Sequence, residues 1–270
     1  MNVCYCRRVL LLIVFICSAE LCCSQHVPYN QLRQIERKIR QLRESCDKEK
    51  TILIDGPIEL EKWYDKSKRI HPSEYRIAFV LKEAYGADNQ GVLRLDSIQK
   101  EYSSLLSMDA REGRPTYAPM VAIANMLVMS QSYSQVQTNS TNAYAIFKEC
   151  SAIVEVKKEY GTPESINSNI RRHAIENKGL IEEQIRVYNP NVVIICGNNL
   201  YEGIFIEGKK VFGEQTYGFG KLRVNSKFSY YSNDQCIYIN TYHPSSRVNK
   251  NDYCTEIVEV VRQWMEEKDE

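Results

Sequence analysis

Glu83, His243 and the donors just behind the histidine are the residues of this chain whose types and placement could do chemistry. Glu83 follows the apolar run Arg76-Ile-Ala-Phe-Val-Leu-Lys82. His243 opens His-Pro-Ser-Ser-Arg247 behind the run Cys236-Ile-Tyr-Ile-Asn240. A carboxylate can orient or deprotonate a water. An imidazole can donate a hydrogen bond to a developing anion. Ser245, Ser246 and Arg247 can hold phosphate through hydroxyl and guanidinium donors. Lys157 and Lys158 close a third apolar run, from Ser151. Each residue also has a plainer use. A loop glutamate is usually solvated, and His-Pro-Ser can simply turn the chain into a helix with Ser as a cap. The same tripeptide recurs at His71-Pro72-Ser73, in what reads as a plain connection.

The elements that must position these residues follow from hydrophobic periodicity. A short strand and turn are expected at Thr51–Gly56, ahead of four core strands at Arg76–Lys82, Ser151–Lys157, Val192–Cys196 and Gln235–Thr241. Glu83 to Asp88 reads as the loop after Arg76–Lys82. Helices are expected at Tyr117–Met129, Ile166–Val187 with a break at Gly179, and Asp252–Met265. Strands alternating with helices predict an α/β fold: a three-layer sandwich around a central, mostly parallel, four-stranded sheet. Near-continuous apolar strands agree, because such a sheet is covered on both faces. Ligands then bind at the carboxyl ends of the strands, where the residues named above stand.

Upstream of that domain, Leu32, Ile35, Ile39, Leu42 and Cys46 recur at helical spacing opposite Arg33, Arg37, Lys38, Arg40 and Arg43. Residues 25–50 are expected as an accessory amphipathic helix and residues 51–270 as the α/β domain. Residues 1–24 are set apart. Arg7-Arg8, the apolar run Val9–Cys17 and Ser18-Ala19 resemble a secretory signal. The body of the chain points the other way. Five of the ten cysteines lie beyond residue 24, an odd number, and Cys196 and Cys236 fall inside apolar runs. That favours reduced thiols and an intracellular protein.

With 35 basic and 34 acidic residues, the net charge of +1 excludes a polycation that binds nucleic acid by its overall field. Contact with nucleic acid needs a local patch. Residues 203–231 offer one: Lys209, Lys210, Lys221, Arg223 and Lys227 interleave with Phe212, Tyr217, Phe219, Phe228, Tyr230 and Tyr231. A β-hairpin packing its aromatics on the sheet explains the segment equally well. No G-x-G-x-x-G follows a strand, and neither a P-loop nor a G-x-S-x-G elbow occurs. The four histidines are too scattered for a metal site. No cofactor is expected, and the chain is expected to be a monomer.

The ordered set of motifs resembles the uracil-DNA glycosylase superfamily. Phe79-Val-Leu-Lys-Glu-Ala-Tyr-Gly86 is similar to its first-strand motif. In one register Glu83-Ala84-x-Gly86 matches a G-E-A-P-G form; shifted by one, Glu83 and Tyr85 fall on the Asp and Tyr of a G-Q-D-P-Y form. Ala152–Lys158 resembles the second strand and its basic exit. Leu180–Ile185 with Pro190–Gly197 resembles a helix and third strand, and Thr241-Tyr-His-Pro-Ser245 the last motif. The resemblance spans roughly residues 75–265. It implies a DNA glycosylase that hydrolyses the N-glycosidic bond of a flipped, uracil-like or damaged base. In that implied site Glu83 positions water and His243 stabilises the departing base. Tyr85 or Tyr117 stacks on the base, and Lys157, Lys158, Ser245, Ser246 and Arg247 meet the DNA backbone. The sequence also departs from the pattern. Val154 or Glu155 stands where the family reads the base with an asparagine. Lys158 occupies a position that iron–sulfur members give to cysteine, so no metal cluster is expected. Two alternatives stay open: an inactive nucleic-acid or nucleotide binder of the same fold, and an extracytoplasmic hydrolase or ligand binder.

Overall fold

The computed structural model describes residues 29–45, 55–68, 74–85, 116–161, 166–197, 223–224, 229–232 and 234–269. The segment 1–24, residues 51–54, Cys46, His26, His71 and most of the basic and aromatic stretch 203–231 lie outside the described residues.

The fold is α/β, but the sheet is neither four-stranded nor mostly parallel along its whole width. Seven strands lie in the order β1-β3-β2-β4-β7-β6-β5. They are β1 (Gly56–Pro57), β2 (Ile77–Tyr85), β3 (Ser151–Gly161), β4 (Val192–Cys196), β5 (Arg223–Val224), β6 (Ser229–Ser232) and β7 (Ile237–Thr241). The central strands β3, β2, β4 and β7 are parallel to their neighbours within that group. β1 on one side, and β6 and β5 on the other, add antiparallel edges. The expectation of four strands fails because the edge strands have two or four residues, too few to leave an alternating pattern.

Every central strand is buried on both sides, and residue parity sorts its side chains. Ile77, Phe79, Ile153, Val192, Ile194, Ile237 and Ile239 face one cluster. Helices α3 (Tyr117–Val128), α4 (Thr141–Cys150) and α7 (Lys250–Asp269) cover it. Ala78, Val80, Ala152, Val154, Val193, Ile195 and Tyr238 face the other. There α1 (Tyr29–Ser45), α2 (Leu60–Lys68), α5 (Asn167–Glu176) and α6 (Lys178–Tyr188) contribute the partners. The break expected at Gly179 falls at Asn177, whose side-chain amide donates to the Val156 carbonyl of β3 at 3.0 Å. Within the first layer Asn125 is buried in α3, and its amide donates to Val121 O and Ala143 O at 2.8 and 2.9 Å. That second bond ties α3 to α4.

The amphipathic helix read as an accessory is built into the second layer. Leu32, Ile35 and Ile39 are 2%, 1% and 0% exposed and share their cluster with Val80, Val154 and Val193 of the sheet. Its polar face reaches α6 through Lys38, whose ammonium donates to both oxygens of Glu183 at 2.6 and 2.7 Å. Ile35→Ala or Ile39→Ala should therefore cost about 2–5 kcal/mol of unfolding free energy in urea melts. Arg37→Ala, on the exposed face, should stay within about 0.5 kcal/mol. Equal, negligible effects from all three would mean that the helix is separable.

Candidate functional site

The site is set by where parallel pairing stops. β2 pairs with β4 as far as Val80↔Ile195, while β2 continues beside β3 to Tyr85↔Gly161. β2 therefore runs beyond Lys82, and Glu83, Ala84 and Tyr85 are strand, where a loop was expected. From β2 the chain crosses to β3 on one side and then returns to β4 on the other. That reversal makes the carboxyl ends of β2 and β4 the switch point at which α/β sheets open a crevice. At the β4 exit Gly197 takes φ 142°, a value side chains disfavour, and its N–H donates to Thr241 O at 2.7 Å.

Register brings the carboxyl ends of β2 and β7 to one edge of the sheet. Ile77 pairs with Val192, and Val192 with Ile237. Glu83 lies six residues beyond Ile77 within β2, and His243 six beyond Ile237, two residues past the end of β7 at Thr241. Neighbouring strands are about 4.8 Å apart, so β2 and β7, with β4 between them, stand about 10 Å apart. Glu83 shares the parity of Phe79 and lies on the α3 side of the sheet. Tyr117, the first residue of α3, belongs to that same side, 9% exposed and packed into the cluster. The side chain of Tyr85 lies outside the described residues.

Glu83 is held. Lys157 is its neighbour in register across the β2–β3 pair, and the Lys157 ammonium donates to Glu83 Oε2 at 2.7 Å. The pair is largely out of solvent, with side chains 11% and 6% exposed. Lys157 thus positions the carboxylate; its ammonium is not a surface cation. Lys158 points to the opposite face and is buried more deeply. Its ammonium donates to Asp55 Oδ2 and Gln184 Oε1, both at 2.6 Å. Gln184 returns a bond to Asp55 Oδ1 at 2.9 Å, and the Glu155 N–H donates to Asp55 Oδ2 at 2.5 Å. With side chains 3% and 0% exposed, the Lys158–Asp55 pair faces no solvent. A DNA-backbone role for Lys158 does not fit this placement: leaving Asp55 would strand two buried charges.

His243 is held as a neutral donor. The Ser245 N–H donates to its Nδ1 at 3.3 Å, and the Ser245 hydroxyl lies 2.7 Å from the same nitrogen. Nδ1 is therefore the acceptor, and the ring proton sits on Nε2. Burial first, then the charges of Lys82 and Lys250, pull the imidazole pKa down to about 4. The loop around the ring is clamped by the start of α7. The Lys250 ammonium donates to Pro244 O at 2.7 Å and also to Ser246 O, and the Tyr253 hydroxyl donates to Tyr242 O at 3.0 Å. Asn249 caps the helix, with Oδ1 accepting from the N–H groups of Asn251 and Asp252. Ser245 and Arg247 are exposed and Ser246 is partly buried, so this loop presents its donors outward.

Beside the loop lies a cavity of about 330 Å³ lined by Thr241, Tyr242, Val248, Asn249, Asp252, Tyr253 and Glu256. It flanks His243 without including the ring. Lys82, Lys250 and Tyr253 are the residues around the site that motif reasoning passed over. Lys250 stands four residues beyond Ser246, a spacing that lets the first turn of a helix reach back over its entry loop. The four described thiols are buried and free. Burial pushes Cys150 up to about 11, Cys236 and Cys254 up to about 12, and Cys196 further up. None of these is a nucleophile near neutral pH.

The sequence matches no protein-family model and no curated protein.

The histidine makes a pH prediction. Its pKa is 6.5 in an unfolded chain and about 4 when folded. Between those values the unfolded chain binds more protons, so this group makes stability rise with pH from about 4 to 6.5 and contributes no slope above. Urea midpoints across that window should climb less steeply in His243→Gln than in the wild type. Parallel profiles would mean that the imidazole titrates normally.

Proposed function

We propose that the protein is a glycosylase-like member of the uracil-DNA glycosylase fold that hydrolyses the N-glycosidic bond of a base flipped out of DNA. In this reading the architecture is a three-layer sandwich, with the sheet between α3, α4 and α7 on one side and α1, α5 and α6 on the other. The observation that supports the proposal is that β2 and β7, with β4 between them, end at one edge of the sheet beside the switch point, with Glu83 at the end of one and a neutral His243, its Nδ1 accepting from Ser245 N–H, just past the end of the other.

The chemistry follows from when charge appears. Flipping costs a few kcal/mol, least for a mispaired or damaged base. As the carbon–nitrogen bond lengthens, the sugar takes on oxocarbenium character and negative charge collects on the base. A hydrogen bond from His243 Nε2 gains little with the neutral base and strengthens as that charge develops, which is the condition for accelerating the step. A neutral imidazole can make this bond without first losing or gaining a proton. Across the crevice Glu83 orients water toward the sugar carbon, an orienting role that suits a carboxylate already fixed by Lys157. Tyr117, on the same side of the sheet as Glu83, is the described aromatic that would stack on the base. Ser245, Ser246 and Arg247 meet the DNA backbone.

The Glu83–Lys157 pair also favours a second reading, in which the site binds a base or nucleotide without cleaving it. Single-turnover release of base from DNA carrying uracil and other lesions separates the two. For a glycosylase, His243→Ala should slow the bound rate by about 10²–10³ with little loss of binding. Glu83→Gln should slow it by about 10²–10⁴ if the carboxylate takes a proton, and less if it only orients water. Absence of release from every lesion, with DNA still bound, would establish the binding protein instead.

A further inference from the structure

Lys82 is a cation on the sheet beside the crevice that has no counter-charge among the described residues. Lys157 is committed to Glu83, Lys158 to Asp55, and Lys250 to the carbonyls of Pro244 and Ser246. Among the described residues the Lys82 ammonium meets a neutral group, donating to Asn167 Oδ1 at 3.2 Å. Asn167 opens α5, so the lysine stands at the positive end of a helix, where a cation gains nothing from the backbone dipole. Neither an ion pair among the described residues nor the helix dipole neutralises this charge. An anionic ligand would.

Its place on the sheet says which part of a ligand that would be. Lys82 and Glu83 are successive residues of β2 and so point to opposite faces. Both lie beyond Val80, the last β2 residue paired with β4, and so both border the opened crevice. A base held between Glu83 and His243 on the α3 side would leave the rest of its nucleotide to cross the β2 edge toward Lys82 on the α5 side. His243 lies close enough to Lys82 for that charge to act on its ring.

We propose that Lys82, with the hydroxyl and guanidinium donors of the loop after His243, forms a phosphate-binding subsite at the crevice. The phosphate belongs either to a polynucleotide backbone or to a free mononucleotide. The subsite rests on the proposed crevice as a base site, but not on cleavage.

Three probes test it: a short labelled oligodeoxythymidine strand, thymidine 5′-monophosphate and thymidine. Lys82→Met should weaken the two phosphate-bearing probes about tenfold, the loss of one charge-assisted hydrogen bond. It should leave thymidine unchanged. The slope of log affinity against log salt for the oligonucleotide should become shallower by about 0.7. Lys82→Arg should restore both. A strand that binds while the monophosphate does not identifies the source as a polynucleotide backbone; equal dependence for both identifies a terminal phosphate. The subsite is overturned if folded Lys82→Met, checked by an unchanged melting temperature, keeps wild-type affinity and salt slope. It is also overturned if the wild type binds neither phosphate probe. Lys82-dependent phosphate binding together with no base release from uracil- or lesion-bearing DNA would instead remove the glycosylase reading and leave the subsite standing.

Discussion

Ile77, Val192 and Ile237 stand in one row across β2, β4 and β7, and the geometry of the carboxyl edge depends on that row. Parallel strands buried on both faces cannot slip by one residue without turning every apolar side chain to the wrong cluster. The register is therefore held by the whole core. It brings the ends of β2 and β7, which lead to Glu83 and His243, to one edge of the sheet, although 160 positions separate the two residues in the chain. The chemistry proposed for the crevice needs a donor and a carboxylate at one edge of the sheet, and packing of the isoleucines and valines holds the strands that lead to them.

A second constraint keeps the edge of the sheet in place. Asp55 precedes β1, Lys158 belongs to β3, and Gln184 and Tyr188 to α6; hydrogen bonds link them inside the second layer. Trp63 of α2 joins by donating to Tyr188 O at 3.0 Å. Gly56 is required there. A side chain at that position would begin 2.5 Å from the Tyr188 hydroxyl, and the backbone takes φ 138°. Buried ion pairs of this kind are poor sources of net stability but costly to break on one side. The network thus fixes where β1 and α6 dock on β3.

The parts legible in the sequence are those with long apolar runs. β2, β3, β4 and β7 each carry enough buried residues to read as strands, and α7 shows Ile257, Val258, Val261 and Trp264 at helical spacing. Residues ending those runs led to Glu83 and His243. What escaped had a local physical cause. α4 has only ten residues, though Ala143, Tyr144, Phe147 and Cys150 keep helical spacing behind a Ser140 cap. The direction of Lys158 depended on strand parity: it follows Lys157 in sequence, but one ammonium meets Glu83 at the crevice and the other meets Asp55 in the core. α1 was legible as a helix but not as a part of the core, because an amphipathic stripe does not say which surface it covers.

The central claim is that His243 faces the crevice as a neutral imidazole with its proton on Nε2. Nitrogen-15 NMR of the histidine ring in the folded protein measures this directly. The account predicts a protonated Nε2 and a bare Nδ1 at neutral pH, with a titration midpoint near 4. A proton on Nδ1, or a ring that becomes doubly protonated near 6.5, would contradict it.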